Sequence, residues 1–226
     1  MHSSPTRAPR AGLRRTALVT LLVAVAAAGH AAERPDPSPV IDADEFVVDR
    51  TQAEWLQAYL QWVAAFPRAS SPVSDTTGAR CGARQQGEVW FLAGSDGTAP
   101  IERSCVVPAG RTLFVPVANI LERSGNREPV CDSMARLAAD NLARHVNALS
   151  MTVDGRDVDA LAGHRLRSGG CFALGLRQSP PVNAKTAVAD GYAVLLRPLQ
   201  PGTHTLVIQA RFDNVPVSTT YHLDVR

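Results

Sequence analysis

What this chain lacks narrows it first. A membrane-spanning helix needs about 20 apolar residues. The apolar run over 16–28 falls short of that, and no later run is apolar enough. Cys-x-x-Cys spacing is absent, which argues against a zinc knuckle and a thioredoxin-type redox site. His-x-His and His-Glu-x-x-His are absent too, so we expect no metal site and no cofactor. Without Gly-x-Ser-x-Gly there is no signature of a serine nucleophile elbow. No internal repeat is visible, and no strong basic excess marks a nucleic-acid or anionic-membrane surface: the net charge is +2.

That small positive charge itself belongs mostly to the N-terminus. Arg7, Arg10, Arg14 and Arg15 form a basic start, an apolar run follows, and Gly29-His30-Ala31 supplies the small residues a signal peptidase reads. Residues 1–31 therefore read as a secretory signal peptide cleaved before Ala32. Arg14-Arg15 reads as ordinary leader charge rather than a twin-arginine signal. The leader holds four of the 23 Lys+Arg and none of the 21 Asp+Glu, so the mature chain is mildly acidic. Cleavage leaves about 195 residues, enough for one domain with a substantial core. The expected location is secreted or periplasmic.

The four cysteines, Cys81, Cys105, Cys131 and Cys171, all lie in the mature part. An even count in an oxidising compartment reads as two disulfides. Of the three pairings, we favour the sequential one, Cys81–Cys105 and Cys131–Cys171.

Along the chain, the proline-rich stretch 32–50 reads as a flexible tether. A first helix is expected over 51–66. Thr51 and Glu54 fit a capping box, and Trp55, Tyr59, Trp62, Val63 and Phe66 form a stripe that ends at Pro67. Core packing is the default for that stripe, and sugar stacking the alternative. Residues 89–93 are apolar on both faces and should form a central strand. A strand over 113–118 contains Pro116, which requires a sheet edge or a bulge. Residues 119–130 read as a charged loop. Asp132 should cap a second helix over 132–147 with an apolar face at Ala138 and Leu142. Beyond Leu149 the chain reads as short strands. The last, 217–226, alternates Thr219, Tyr221, Leu223 and Val225 against Ser218, Thr220, His222 and Asp224. The fold class is mainly β, an antiparallel β-sandwich of jelly-roll or immunoglobulin-like type with two helical insertions, spanning 51–226.

Two phrases carry a resemblance. One is Gly87-Glu-Val-Trp-Phe-Leu-Ala-Gly94 leading to Arg103-Ser-Cys105-Val-Val-Pro-Ala-Gly110 and Leu113-Phe-Val-Pro116. The other is Asp190-Gly-Tyr-Ala-Val-Leu-Leu-Arg-Pro-Leu-Gln-Pro-Gly-Thr-His-Thr-Leu206. Over 51–226 the sequence resembles a family of secreted bacterial and fungal proteins to which no activity is assigned. The resemblance implies secretion and an all-β core. It transfers no catalytic residue.

Candidate chemistry is sparse. Gln86, Trp90, Arg103, Asn119 and Glu122 combine amide, aromatic, cation and acid at expected strand ends, where sandwich proteins place function. They are the candidate pocket for a polar, sugar-like ligand, with Trp90 as stacking platform. Against that, Trp90 would be core, Arg103 would pair with Glu88 or Glu102, and Asn119 would cap a turn. The leading functional reading is a secreted binding or structural module whose partner is a glycan or an envelope protein. The alternative is a polysaccharide-acting hydrolase or lyase using Arg103, Glu122 and His164. His145 should face solvent, and His204 and His222 should point to opposite sides of their strands.

Overall fold

We describe the protein from a computed structural model, covering residues 1–2, 38–97, 99–124, 130–175 and 186–226. The leader reading, past His2, and the first part of the tether lie outside the described residues. Helix α1 spans Gln52–Ala64 and α2 spans Cys131–His145. The strands are β1 (Val89–Phe91), β2 (Ile101–Val107), β3 (Thr112–Arg123), β4 (Val146–Val153), β5 (Arg156–Asp157), β6 (Arg165–Arg167), β7 (Phe172–Ala173), β8 (Thr186–Leu196), β9 (Gly202–Phe212) and β10 (Val215–Val225). They build two five-stranded sheets, one ordered β1-β3-β8-β6 with β7 also on β8, the other β2-β10-β9-β4-β5.

The sandwich expectation is borne out, with one difference. β1 runs parallel to β3, and β2 runs parallel to β10. The chain leaves the first sheet after β1, crosses the second as β2 and returns as β3, so each of these strands enters its sheet by a crossover rather than a hairpin. Both sheets are therefore mixed.

Alternation explains which faces meet. In β2, Ile101, Arg103, Cys105 and Val107 are buried while Glu102, Ser104 and Val106 are exposed. In β10, Thr219, Tyr221, Leu223 and Val225 point inward, as expected from their two-residue period. These residues meet Leu113, Val115, Val194 and Leu196 of the first sheet in one core. The other face of the first sheet presents Phe91, Phe114, Ala189, Ala193 and Leu195 to α1. Strands β3 and β8 are thus covered on both sides, with α1 forming a third layer.

The aromatic stripe of α1 is core. Tyr59 stacks on Phe114 with ring centroids 5.2 Å apart, and Trp62 lies 5.6 Å from Phe91. The capping box forms as read: Glu54 N–H donates to Thr51 Oγ1 at 3.2 Å, and Thr51 N–H donates to Glu54 Oε2 at 2.8 Å.

The tether reading fails over 38–50. Ile41 and Val47 are buried, Ile41 N–H donates to Leu195 O at 2.9 Å, and Trp55 Nε1 donates to Val47 O at 2.8 Å. These apolar residues cover the end of the α1 core, so the packed domain starts before Thr51. Three further corrections concern strands and caps. β1 lies at a sheet edge rather than the centre, although both of its faces are covered. β3 does not stop at Ala118: it accommodates Pro116 through a bulge between Pro116 and Ala118, then continues against β8 to Arg123. Asp132 does not cap α2; Val130 holds the N-cap position, and Asp132 sits in the first turn, where its charge complements the helix dipole. α2 also ends two residues early, passing directly into β4.

Both disulfides pair sequentially, Cys81–Cys105 and Cys131–Cys171, with Cα atoms 5.8 and 5.3 Å apart. Among the described residues, no helix is long and apolar enough to cross a membrane.

Candidate binding groove

The five residues singled out from sequence do not share a pocket. Arg103 is 1% exposed and fully committed. Its Nε donates to Asp75 O at 2.6 Å, and one terminal nitrogen donates to Ala93 O, Gly94 O and Tyr221 Oη at 2.6, 2.9 and 2.7 Å. The other donates to Val73 O at 3.0 Å. Neither Glu88 nor Glu102 is its partner. Arg103 instead clamps the 73–75 segment and the exit of β1 onto the second sheet. The clamp is closed by a tight contact at Gly78, where φ is +91° and an added Cβ would sit 2.3 Å from Ser104 O.

Trp90 packs half-buried against the inter-sheet core, with no hydrogen-bond partner for its Nε1 among the described residues. Gln86 is exposed. The amide that does structural work is its neighbour's: Gln85 donates to Cys81 O and Phe91 O and accepts from Phe91 N–H. Asn119 sits opposite Gly191 and lines a 120 Å³ pocket with Gly94, Pro116 and Thr219. Glu122 accepts from Asn141 Nδ2 of α2 at 2.8 Å. Trp90 pairs with Leu113, nine residues along β3 from Glu122, which separates them by roughly 30 Å at ~3.3 Å per residue.

The alternative trio fares no better. His164 precedes Arg165, which pairs with Tyr192, whereas Glu122 pairs with Val188, roughly 13 Å away along β8. Arg103 lies in the other sheet. His164 is buried, its Nδ1 is unpartnered among the described residues, and desolvation lowers its pKa against the opposing charge of Asp42. Arg103, Glu122 and His164 therefore do not meet around one cleft.

A wider recess than the Asn119 pocket lies elsewhere, along β4. It is a groove of ≈ 630 Å³. One wall is β4 from Val146 to Met151, the other is the crossover 157–162, and Tyr192 of β8 contributes to the floor. The groove exists because β5 is short. It pairs with β4 only at Thr152 and Val153, and after Val158 N–H donates to Met151 O the chain turns away. The turn uses Ala160 at φ 54°, then a 3₁₀ turn over Leu161–His164 that delivers β6 to the first sheet. Beside the groove, Asp190 is buried under a bidentate bond from Arg165 at 2.8 and 2.9 Å and a third contact from Arg167 at 3.2 Å. Sequence reading missed this site because it carried the helix to 147. The signal was present: 146–153 has no charge, proline or glycine.

The histidines divide as expected in one case and not in another. His204 pairs with Leu223 and His222 with Thr205, so the two face opposite sides. His145 is not free in solvent; its Nδ1 lies 2.6 Å from Asp213 Oδ1. His204 Nδ1 lies 2.7 Å from Asp154 Oδ2, and Nε2 lies 2.8 Å from Gln200 O. Desolvation alone would lower the His204 pKa, but these two bonds and the Asp154 charge outweigh it and raise it above 6.5. Burial would likewise raise Asp154, yet His204, Thr205 N–H and Arg156 hold it below 3.8. A raised histidine stabilises the fold below its unfolded pKa and loses that contribution as pH rises through its folded pKa. A lowered carboxylate does so above its unfolded pKa and loses it as pH falls. The pair therefore contributes most between about pH 4 and 6.5. The melting temperature should decline as pH rises above about 6.5, and His204→Gln should flatten that decline. An equal decline in both proteins would refute the assignment.

Comparison with known proteins adds partial likenesses. No family model matches the chain, and no curated protein sequence does. Among solved structures it is similar in part to PbICP-C, solved in complex with falcipain-2, at 8% identity, 62% of this chain, 100% of that one and a TM-score of 0.28. It is also similar to the M1 domain from titin, at 9% identity, 57% and 91% coverage and a TM-score of 0.20. Amebosin gives 13% identity, 56% and 96% coverage and a TM-score of 0.18. The fold assignment rests on the strand pairing described above.

Proposed function

We propose that this protein is an exported β-sandwich module that binds a partner through the β4 groove and carries out no chemistry of its own. One observation carries the reading: a 630 Å³ groove bounded along one side by the outer edge of β4, which no strand among the described residues pairs over 146–150. Export is supported by the basic start and apolar run of the leader and by two disulfides, which fit an oxidising compartment. A glycan and an envelope protein are the partner classes the sequence suggests; a backbone edge favours protein.

The test is a thermal-shift screen of the oxidised protein against soluble glycans, peptidoglycan fragments and peptides. A ligand at 100 times its Kd adds about 2.7 kcal/mol to stability. The reading expects a shift that Tyr192→Ala abolishes and Trp90→Phe preserves, with the ligand recovered intact. The opposite mutant pattern, or a ligand recovered in pieces, would overturn it.

A further inference from the structure

We infer that the groove takes an extended peptide segment carrying a lysine or arginine, added as a strand along the free edge of β4. The inference rests on the reading of the groove as the binding face and names its occupant.

The backbone supplies the first argument. β4 is bonded on one side to β9 from Val146 to Val153. On its other side β5 takes Thr152 and Val153, and Val158 N–H takes Met151 O. In an antiparallel ladder, backbone groups at alternate residues turn to the same side. Met151 O faces outward, so the N–H and C=O of Leu149 face outward as well. Among the described residues, no strand meets them. Strand edges of this kind are ordinarily blunted by charge, proline or a covering segment. β2 shows such a cover, since Ser104 N–H donates to Thr77 O of the 73–81 loop. β4, with the sequence Val-Asn-Ala-Leu-Ser-Met-Thr-Val, has neither charge nor proline.

Length and charge select the occupant. The free stretch 146–150 is about 17 Å long at ~3.4 Å per residue, which matches a peptide of about five residues. The groove lining contains Asp157 and Asp159 and no lysine, arginine or histidine. A cationic side chain reaching that wall would gain charge complementarity, and its aliphatic stem could lie against the Tyr192 ring. The same two aspartates disfavour a second copy of this chain, because edge-to-edge pairing would bring two acidic walls together. Main-chain bonds would give affinity and the acidic wall selectivity, which is the division of labour of β-strand addition.

The experiment uses the full oxidised chain and an arrayed library of random decapeptides, with binding read by fluorescence anisotropy. The expected binders are enriched in Lys and Arg. In a backbone N-methyl scan of one binder, alternate positions over about five residues should weaken binding about tenfold each, the loss of one hydrogen bond, while the intervening positions change it little. Leu149→Pro removes the outward donor at an edge where proline is tolerated, and should abolish binding while its melting transition remains cooperative. Asp157→Asn/Asp159→Asn should erase the preference for basic peptides and reduce the salt dependence. Peptide binding with a flat N-methyl scan would overturn strand addition and leave the groove reading standing. A glycan shift lost in Tyr192→Ala, with no peptide bound, would overturn the peptide class alone. Dimerisation that Leu149→Pro abolishes would make a second copy the occupant and overturn the inference. No response to any probe would count against both readings.

Discussion

Arg103→Met is expected to lower the unfolding free energy by about 4–5 kcal/mol. Methionine can occupy the volume of the stem, but it leaves the carbonyls of Val73, Asp75, Ala93 and Gly94 and the Tyr221 hydroxyl without the guanidinium. Tyr221 still donates to Ala93 O at 2.6 Å, so one acceptor keeps a partner. Each of the others, if left dry, costs about 1–3 kcal/mol, and partial relaxation of the 73–81 segment brings the sum to the stated range. Replacement of a buried ion pair by apolar residues can be neutral, because both partners are removed together. Here the partners are main-chain groups that no side-chain substitution removes. Arg103→Lys should recover less than half the loss, since a single ammonium cannot span acceptors arranged around a planar fork. Urea unfolding measures both. A loss below about 1.5 kcal/mol for Arg103→Met would mean that water takes the place of the guanidinium. Amide exchange at Ser104, whose N–H donates to Thr77 O, should accelerate in the same variant, because the clamp is what holds that segment on β2.

Removing the second disulfide ranks next. Cys131 and Cys171 are 40 residues apart, and opening a loop of that size releases about 4 kcal/mol of constraint on the unfolded chain. Cys81–Cys105, closing 24, is worth about 3.5 kcal/mol on the same basis. For a domain of this size, Cys131→Ser/Cys171→Ser should therefore lower Tm by about 8–16 °C. Its local consequence is the more informative. The bridge joins the first residue of α2 to the residue before β7, and α2 runs straight into β4. The double variant should show faster amide exchange in α2 and at the start of β4, and weaker binding by any ligand of the groove. A Tm within about 2 °C of the parent protein would show that the α2 packing at Ala138 and Leu142, together with the Asn141–Glu122 bond, holds this end of the sandwich unaided.

Much of the architecture was legible in local pattern. The two-residue period of β10, the capping box at Thr51, the helical stripe from Trp55 to Trp62 and the edge or bulge required by Pro116 each follow from chemistry within a few residues. The sequential disulfide pairing, one of three the cysteine count allows, is the one formed. The site was less legible, for identifiable reasons. Arg103 looked like a ligand-binding cation because its acceptors are main-chain oxygens, which leave no mark in the identity of neighbouring residues. One lies 28 positions earlier, and its hydroxyl partner lies 118 positions later. Trp90 and Glu122 were grouped because both were expected at strand ends, but the course of the chain along β3 separates them. The groove went unread because an unpaired edge is a property of what fails to arrive beside a strand.

By itself, then, the sequence determined which residues of β10 turn inward and where α1 begins. Those are consequences of side-chain periodicity and short-range hydrogen bonding, which act within one element. Only the tertiary structure decided that β1 and β2 enter parallel at sheet edges, that 38–50 packs onto α1 and β8, and that β5 ends after two residues. Each depends on contacts between segments far apart in the chain. The free edge of β4 is the sum of those decisions.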